Sequence, residues 1–200
     1  MLGLSLRSED LDAMLVHYRA MVKWRRRADL TALVDPREIA IRHYLDSLSV
    51  APHIPEGVTI ADLGTGAGFP GIPLAIARRD LAVTLLEARE VKVAFLHHVA
   101  TMLRRPNLRV ARASELRRAP GGTTFGCIVA RAVADPEETL ARCAHLLAPG
   151  GQAWLMRGPS RSGEPSGASH PAFVLAEERA LELPIEHAPR RVVIYRFRSD

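Results

Sequence analysis

The spacing of apolar residues changes character near residue 57. Before it, the apolar positions recur at helical intervals. Leu11, Met14, Leu15, Tyr18 and Val22 share one face of a helix opened by Ser8-Glu9-Asp10, a capping serine with acids in the first turn, and that face is expected to dock on the rest of the chain. The helix closes on Lys23-Trp24-Arg25-Arg26-Arg27. These cations suit the negative end of a helix dipole and are equally suited to phosphate. A second helix opens at Asp35-Pro36-Arg37-Glu38, with an aspartate cap, proline in the first helical position and glutamate in the third. It carries Ile39, Ile41, Tyr44, Leu45, Leu48 and Val50 on to Pro52, and its Arg42-His43 and Asp46 are spaced to pair along one face.

Beyond residue 57, short continuous apolar runs alternate with amphipathic ones. The pattern predicts strand 58–63, helix 71–79, strand 83–87, helix 90–104 (burying Val91, Phe95, Val99 and Met102), strand 108–112 and strand 125–130. A helix capped by Asp135-Pro136-Glu137-Glu138 and stopped by Pro149-Gly150-Gly151 follows, then strand 152–156. Such alternation means a parallel sheet with right-handed crossovers. The stretch from Gly158 to Ser169 is rich in Gly, Ser and Pro and has nothing to bury, so a mobile surface loop is expected there. Two strand-like runs, near 173–183 and 191–197, suit an antiparallel hairpin added to the sheet. The expected architecture is a single α/β domain: a helical extension over 1–56 packed on a Rossmann-like core over 57–200, whose seven-stranded sheet is mostly parallel.

The stretch Ile60-Ala61-Asp62-Leu63-Gly64-Thr65-Gly66-Ala67-Gly68-Phe69-Pro70-Gly71-Ile72-Pro73 organises the rest. A buried strand breaks into glycines and resumes as a helix, which is how an open α/β sheet holds a nucleotide at the carboxyl ends of its strands. Glycines allow the sharp turn and a close approach of backbone to ligand. Gly66 to Gly71 satisfies the G-x-G-x-x-G of dinucleotide enzymes, a weak signal alone. The extra Gly64 and the preceding Asp62 are more similar to the D/E-x-G-x-G-x-G opening of S-adenosylmethionine (SAM) methyltransferases. A carboxylate there is suited to accept hydrogen bonds from the cofactor's ammonium. Glu87, ending the next strand, is the expected partner of the ribose hydroxyls.

Two hundred residues with a 48% apolar fraction suit one self-sufficient domain. No apolar run reaches the length of a membrane span and no signal-peptide pattern opens the chain. The two cysteines, Cys127 and Cys143, lack metal or redox spacing and are expected buried and reduced, in a cytoplasmic protein; no metal is expected. The net charge of +5 favours an acidic partner, although all basic residues but Lys23 and Lys92 are arginine, a bias that genome composition also produces.

Arg42-His43-Tyr44-Leu45-Asp46-Ser47-Leu48 followed by Asp62 to Leu74 resembles one family, the 16S rRNA guanine-N7 methyltransferases (glucose-inhibited division protein B). Trp24, Leu30-Thr31, Lys92, Phe95-Leu96 and Arg131-Ala132 extend the resemblance over roughly residues 20–157. It implies SAM as cofactor, the 16S rRNA of the small ribosomal subunit as partner, and transfer to a guanine N7. Carried over residue by residue, the cofactor pocket takes in Gly64, Phe69, Ala113, Ser114 and Arg131, joined by Asp62, Gly66, Gly68 and Glu87 from the reading above. Arg131 is also the candidate catalytic residue, orienting the base or the methionine end of the cofactor. RNA contacts are expected at Arg25, Arg26, Arg42, His43, Lys92 and Arg157, and a monomer is expected. Asp29, Arg25 and Arg157 depart from the family's residues, which leaves the RNA substrate less firmly marked than the cofactor. A SAM-dependent enzyme acting on another RNA or a small molecule is the second reading, ahead of an NAD-dependent oxidoreductase or an RNA-binding protein that has lost catalysis.

Overall fold

The computed structural model describes residues 3–112, 114, 124–131, 135–159, 168–185 and 187–198. Helix α1 (Ser8–Ala28) is followed by α2, a continuous run in which Pro36–Ile39 is α-helical, Ala40–Leu45 is π-helical and Asp46–Leu48 is again α-helical. A 3₁₀ turn over Ala51–His53 leads into the core. There β1 (Thr59–Leu63), α3 (Gly71–Ala77), β2 (Ala82–Glu87), α4 (Glu90–Leu103), β3 (Leu108–Arg112), β4 (Phe125–Arg131), α5 (Pro136–Ala144), β5 (Leu147–Arg157), β6 (Phe173–Leu183) and β7 (Ala188–Phe197) follow in order.

The seven strands lie in the order β3-β2-β1-β4-β5-β7-β6. The first five are parallel, and β7 runs antiparallel to both β5 and β6. Chain order reverses direction between β1 and β4, so their carboxyl ends form the crevice where such sheets bind ligands. Ile60 to Leu63 and Cys127 to Ala130 are buried on both faces of the sheet, which is why these runs, Asp62 apart, are apolar without alternation. The edge strand β6 is mostly exposed and carries Glu177, Glu178 and Glu182, charges that discourage further pairing. Both cysteines are buried and free, and burial pushes both thiols well above their ordinary pKa.

Several expectations change. The face of α1 that docks carries Met14, His17, Ala20 and Met21, whereas Leu11, Leu15 and Val22 are exposed; of the predicted stripe only Met14 is buried. The apolar positions of α1 are broad enough to fit two faces, and the fit of Asp10 and His17 to partners on the core decides between them. The second helix carries a π segment instead of running uniformly. Met102 is exposed at the end of α4, while Phe95 and Val99 are fully buried. Strand β5 starts at Leu147, so Pro149-Gly150-Gly151 falls within the strand, where the register against β4 shifts between Phe125 and Cys127. Of the predicted mobile loop, residues 160–167 lie outside the described residues. Among the described residues no helix is long and apolar enough to cross a membrane.

Helix α1 lies antiparallel to α4. Asp10 meets Arg105 just past the end of α4, Trp24 packs on Phe95 and His98, and Asp29 pairs with Arg89 at the α4 N-terminus. The basic end of α1 therefore lies toward the carboxyl edge of the sheet. At the opposite end, the buried Asp10 carboxylate accepts from the Arg7 amide and from Arg7, Arg79 and Arg105. Burial alone would raise its pKa, but these donors outweigh burial and hold it at about 2, against an ordinary 3.8. A depressed folded-state value means stabilisation that is complete above about pH 4 and is lost as the pH falls toward 2. Asp10→Asn should cost about 2 kcal/mol at neutral pH, the worth of hydrogen bonds to a charged group, lowering Tm by roughly 6 °C. Thermal melts of variant and parent should converge as the pH drops through that window; a constant gap would mean that the carboxylate's charge is not what holds α1 in place.

Candidate cofactor and substrate site

The glycine turn between β1 and α3 is held by two carboxylates. Asp62, fully buried at the end of β1, accepts at Oδ2 from the Thr65 hydroxyl (2.5 Å) and from the Gly71 amide (2.6 Å), closing the turn across nine residues. Its Oδ1 is buried without a hydrogen-bond partner among the described residues. Burial raises the Asp62 pKa to about 6, against the opposing pull of the Thr65 and Gly71 bonds and of Arg131. Glu87, at the end of β2, accepts from the Gly66 amide at Oε2 (3.1 Å), and from the Ala88 and Arg89 amides at Oε1 (2.8 and 2.9 Å). Both acids expected to face a ligand thus also brace the loop: Glu87 is nearly buried, and Asp62 offers only Oδ1.

Among the described residues, the outer side of the loop is open. Gly66 has φ +60°, and a Cβ there would meet no described atom closer than the Gly64 carbonyl at 3.9 Å; at Gly64 it would meet none within 4 Å. The inner side is the reverse: a Cβ on Gly71 would collide with Leu85 and Asp62. A backbone cradle with empty space above it, two acids beneath and an orphaned carboxylate oxygen fits a nucleoside-bearing ligand with a cationic end, such as SAM.

Phe69 ends the loop and is enclosed by aromatic rings from the N-terminal helices. His43 stacks on it at 4.7 Å, Tyr44 meets it edge-on at 5.1 Å and His17 lies at 5.0 Å. Arg131, at the end of β4, places its guanidinium 5.4 Å from the same ring. Its Nη1 donates to the Arg42 carbonyl (3.0 Å) and to Asp46 Oδ2 (3.1 Å), while Asp46 Oδ1 accepts from Arg190 of β7 (2.8 Å). One nearly buried carboxylate therefore fixes two arginines from different strands. The pairing expected within α2 gives way to this arrangement, with Arg42 turned outward to Glu38 (3.4 Å). His43 holds the Thr31 hydroxyl at Nε2 (2.9 Å) and lies 3.3 Å from Arg131 through Nδ1. Burial, reinforced by the Arg131 charge, lowers its pKa to about 4, so the ring is neutral at pH 7.

The structure thus gathers Asp62, Gly64, Gly66, Gly68, Phe69, Glu87 and Arg131 in one crevice, with His43 and Arg42 at its edge. Ala113 lies outside the described residues, and Ser114 is exposed two residues past β3. Among the RNA candidates, Arg25 donates to the Leu33 carbonyl (3.4 Å), Arg26 is exposed near the end of α1, half-buried Lys92 lies in the first turn of α4 and Arg157 ends β5. Sequence reasoning missed His17 and the role of Asp46 as the shared anchor of Arg131 and Arg190. A histidine in register with Met14 and Met21 was the available signal for His17; the partners of Asp46 lie 85 and 144 residues away, and no local spacing announces them.

The family described as rRNA small subunit methyltransferase G matches residues 10–193. Proteins named ribosomal RNA small subunit methyltransferase G are similar over nearly the whole chain. That of Xanthomonas euvesicatoria is 38% identical over 96% of this chain and 91% of its own, and that of Anaeromyxobacter dehalogenans 36% over 98% and 93%. Among solved structures, an O-methyltransferase from Bacillus cereus in complex with SAH aligns with TM-score 0.59 at 16% identity, over 98% of this chain and 93% of that one. A SAM-dependent methyltransferase from Aquifex aeolicus aligns with TM-score 0.57 at 16% identity, over 88% and 97%. These structural likenesses concern the fold. The match to the family over most of the sequence goes further: the chain is a member of the rRNA small subunit methyltransferase G family.

Proposed function

We propose that the protein transfers a methyl group from SAM to N7 of a guanine in 16S rRNA, acting as a cytoplasmic monomer on the small ribosomal subunit. The observation that carries this reading is the meeting, at the carboxyl ends of β1 and β4, of the open glycine cradle with Arg131, clamped by Asp46 and backed by Phe69. Gly64, Gly66, Asp62 Oδ1 and Glu87 are the groups that would hold the cofactor, which supplies an electrophilic methyl on a sulfonium. Guanine N7 carries an in-plane lone pair and no proton, so in-line attack asks the protein for orientation and not for a general base. The surroundings of Arg131 agree with that demand. His43, the imidazole beside it, is held neutral with a pKa near 4 and engages Thr31, which makes it a poor proton acceptor. Arg131 is suited to donate to a guanine oxygen while leaving N7 free.

The placement of basic residues supports an RNA partner. The antiparallel packing of α1 on α4 carries Lys23 to Arg27 to the same edge of the sheet as Arg42, Lys92 and Arg157. Phosphate contacts made there release counterions, so affinity for rRNA should fall steeply from low to moderate salt.

The test uses methyl-labelled SAM with small subunits and bare 16S rRNA from cells lacking the family's enzyme, followed by mass spectrometry of the nucleosides. Labelled 7-methylguanosine is expected; SAM binding without transfer to either RNA would instead favour the second reading, another RNA or a small molecule. Arg131→Ala should lower turnover on the order of 100-fold, the usual loss for one positioned donor. Asp46→Asn leaves both arginines in place but releases their clamp, and a loss of about tenfold in kcat is expected. Parent-like turnover by Arg131→Ala would remove that residue from the site.

A further inference from the structure

We infer that His17, on the N-terminal helix α1, is a positioning residue for the cofactor loop: its Nε2–H holds the Ala67 carbonyl and so sets the peptide planes of the Gly66–Gly68 turn. This rests on the proposed placement of the cofactor in that turn. His17 is fully buried, and its Nε2 lies 2.8 Å from the Ala67 oxygen, 50 residues along the chain. A carbonyl only accepts, so Nε2 carries the proton and Nδ1 is left as an acceptor. The Tyr44 hydroxyl of α2 lies 3.0 Å from Nδ1 and 3.2 Å from the Met14 carbonyl, and donation to Nδ1 fixes the tautomer that the Ala67 bond requires.

Contacts to the two following residues reinforce the hold. A Cβ at Gly68, where φ is +95°, would come within 3.4 Å of His17 Nε2, so the histidine seats directly against the loop backbone. The His17 ring also packs on Phe69. Burial lowers the His17 pKa to about 4 despite the Ala67 bond, which keeps the imidazole neutral with one proton to donate. The loop is thereby gripped from two sides. Glu87 of the sheet takes the Gly66 amide, and His17 of the extension takes the carbonyl of the next residue. Neither hold alone fixes the rotation of the intervening peptide. Removing the histidine's donor frees the Ala67 carbonyl to turn outward into the space the cofactor needs.

Two amides separate the hydrogen bond from mere packing. The side-chain nitrogen of glutamine reaches about as far as Nε2 and retains the donor to Ala67, whereas that of asparagine reaches only the position of Nδ1. Calorimetric titration with SAM should give His17→Asn a Kd about tenfold weaker than the parent, equivalent to about 1.4 kcal/mol, and His17→Gln one within about threefold. Tyr44→Phe, which removes the donor to Nδ1 but not the imidazole, should fall between them. In steady-state methylation the loss should appear as a higher KM for SAM with kcat nearly unchanged. Parent-like affinity in His17→Asn, or equal losses in the asparagine and glutamine variants, would overturn the role given to His17. Gly66→Val tests the underlying placement separately, because its side chain would fill the cradle. Loss of SAM binding there beside parent-like His17→Asn would reject His17 alone; parent-like binding by Gly66→Val would reject the placement of the cofactor and the inference with it.

Discussion

Asp62 is the constraint on which the site depends. A carboxylate at the end of a central parallel strand has no exposure to water, and its burial is tolerable only because Thr65 and Gly71 donate to it at short distance. Those two bonds tie the first residues of the turn to the first residue of α3, and they require the Gly71 backbone to approach so closely that any side chain there would strike Leu85 or Asp62 itself. The loop's shape follows from satisfying a buried charge. Its open outer face, where Gly64 and Gly66 have room above them, is a consequence of drawing the other end of the turn inward.

The N-terminal helices are part of this construction. Met14, Met21, Ile39 and Tyr44 belong to the same continuous apolar cluster as Ile60, Leu74 and Phe95 of the core. They deliver four polar side chains to the crevice: His17 and Tyr44 behind the loop, His43 over Phe69 and Asp46 beneath Arg131. The π-helical turn over Ala40–Leu45 lies where α2 presents the last three of these in close succession. Such wide turns occur often at functional sites, since the extra residue re-aims side chains that a regular helix would spread around its axis.

How much of this the sequence showed follows the range of each interaction. Strands β1, β2 and β4 were legible because burial on both faces leaves a largely apolar run, broken only by Thr59, Asp62, Thr84 and the terminal Glu87 and Arg131, and the glycine turn because its backbone needs are local. The docking face of α1 was not, since Leu11, Leu15 and Val22 make as good a helical stripe as Met14 and Met21. The choice depends on Asp10 finding Arg79 and Arg105, and His17 finding Ala67, all more than 45 residues away. In the same way, the local spacing of Arg42 and Asp46 suggested a pair on one helix, while tertiary structure offers Asp46 two better placed cations, held with less exposure to water.

The charges around the loop are arranged in layers, and the layering suits the proposed reaction. Asp62 and Glu87 lie under the turn, whereas Arg131 and Arg190 stand at its mouth with a single carboxylate, Asp46, between them. Two arginines on one acid leave an excess of positive charge facing outward, and the acids beneath leave an excess of negative charge facing the cradle. A cofactor with a cationic amino-acid end is favoured by the lower layer, and an RNA strand by the upper one. The boundary between the layers is Phe69, capped by the neutral His43 and nearly inaccessible to water. An apolar ring there keeps the two sets of charge from pairing directly, while Arg131 still acts on Asp62 through space, so each remains available to its own ligand and the crevice needs no titrating group to do its work.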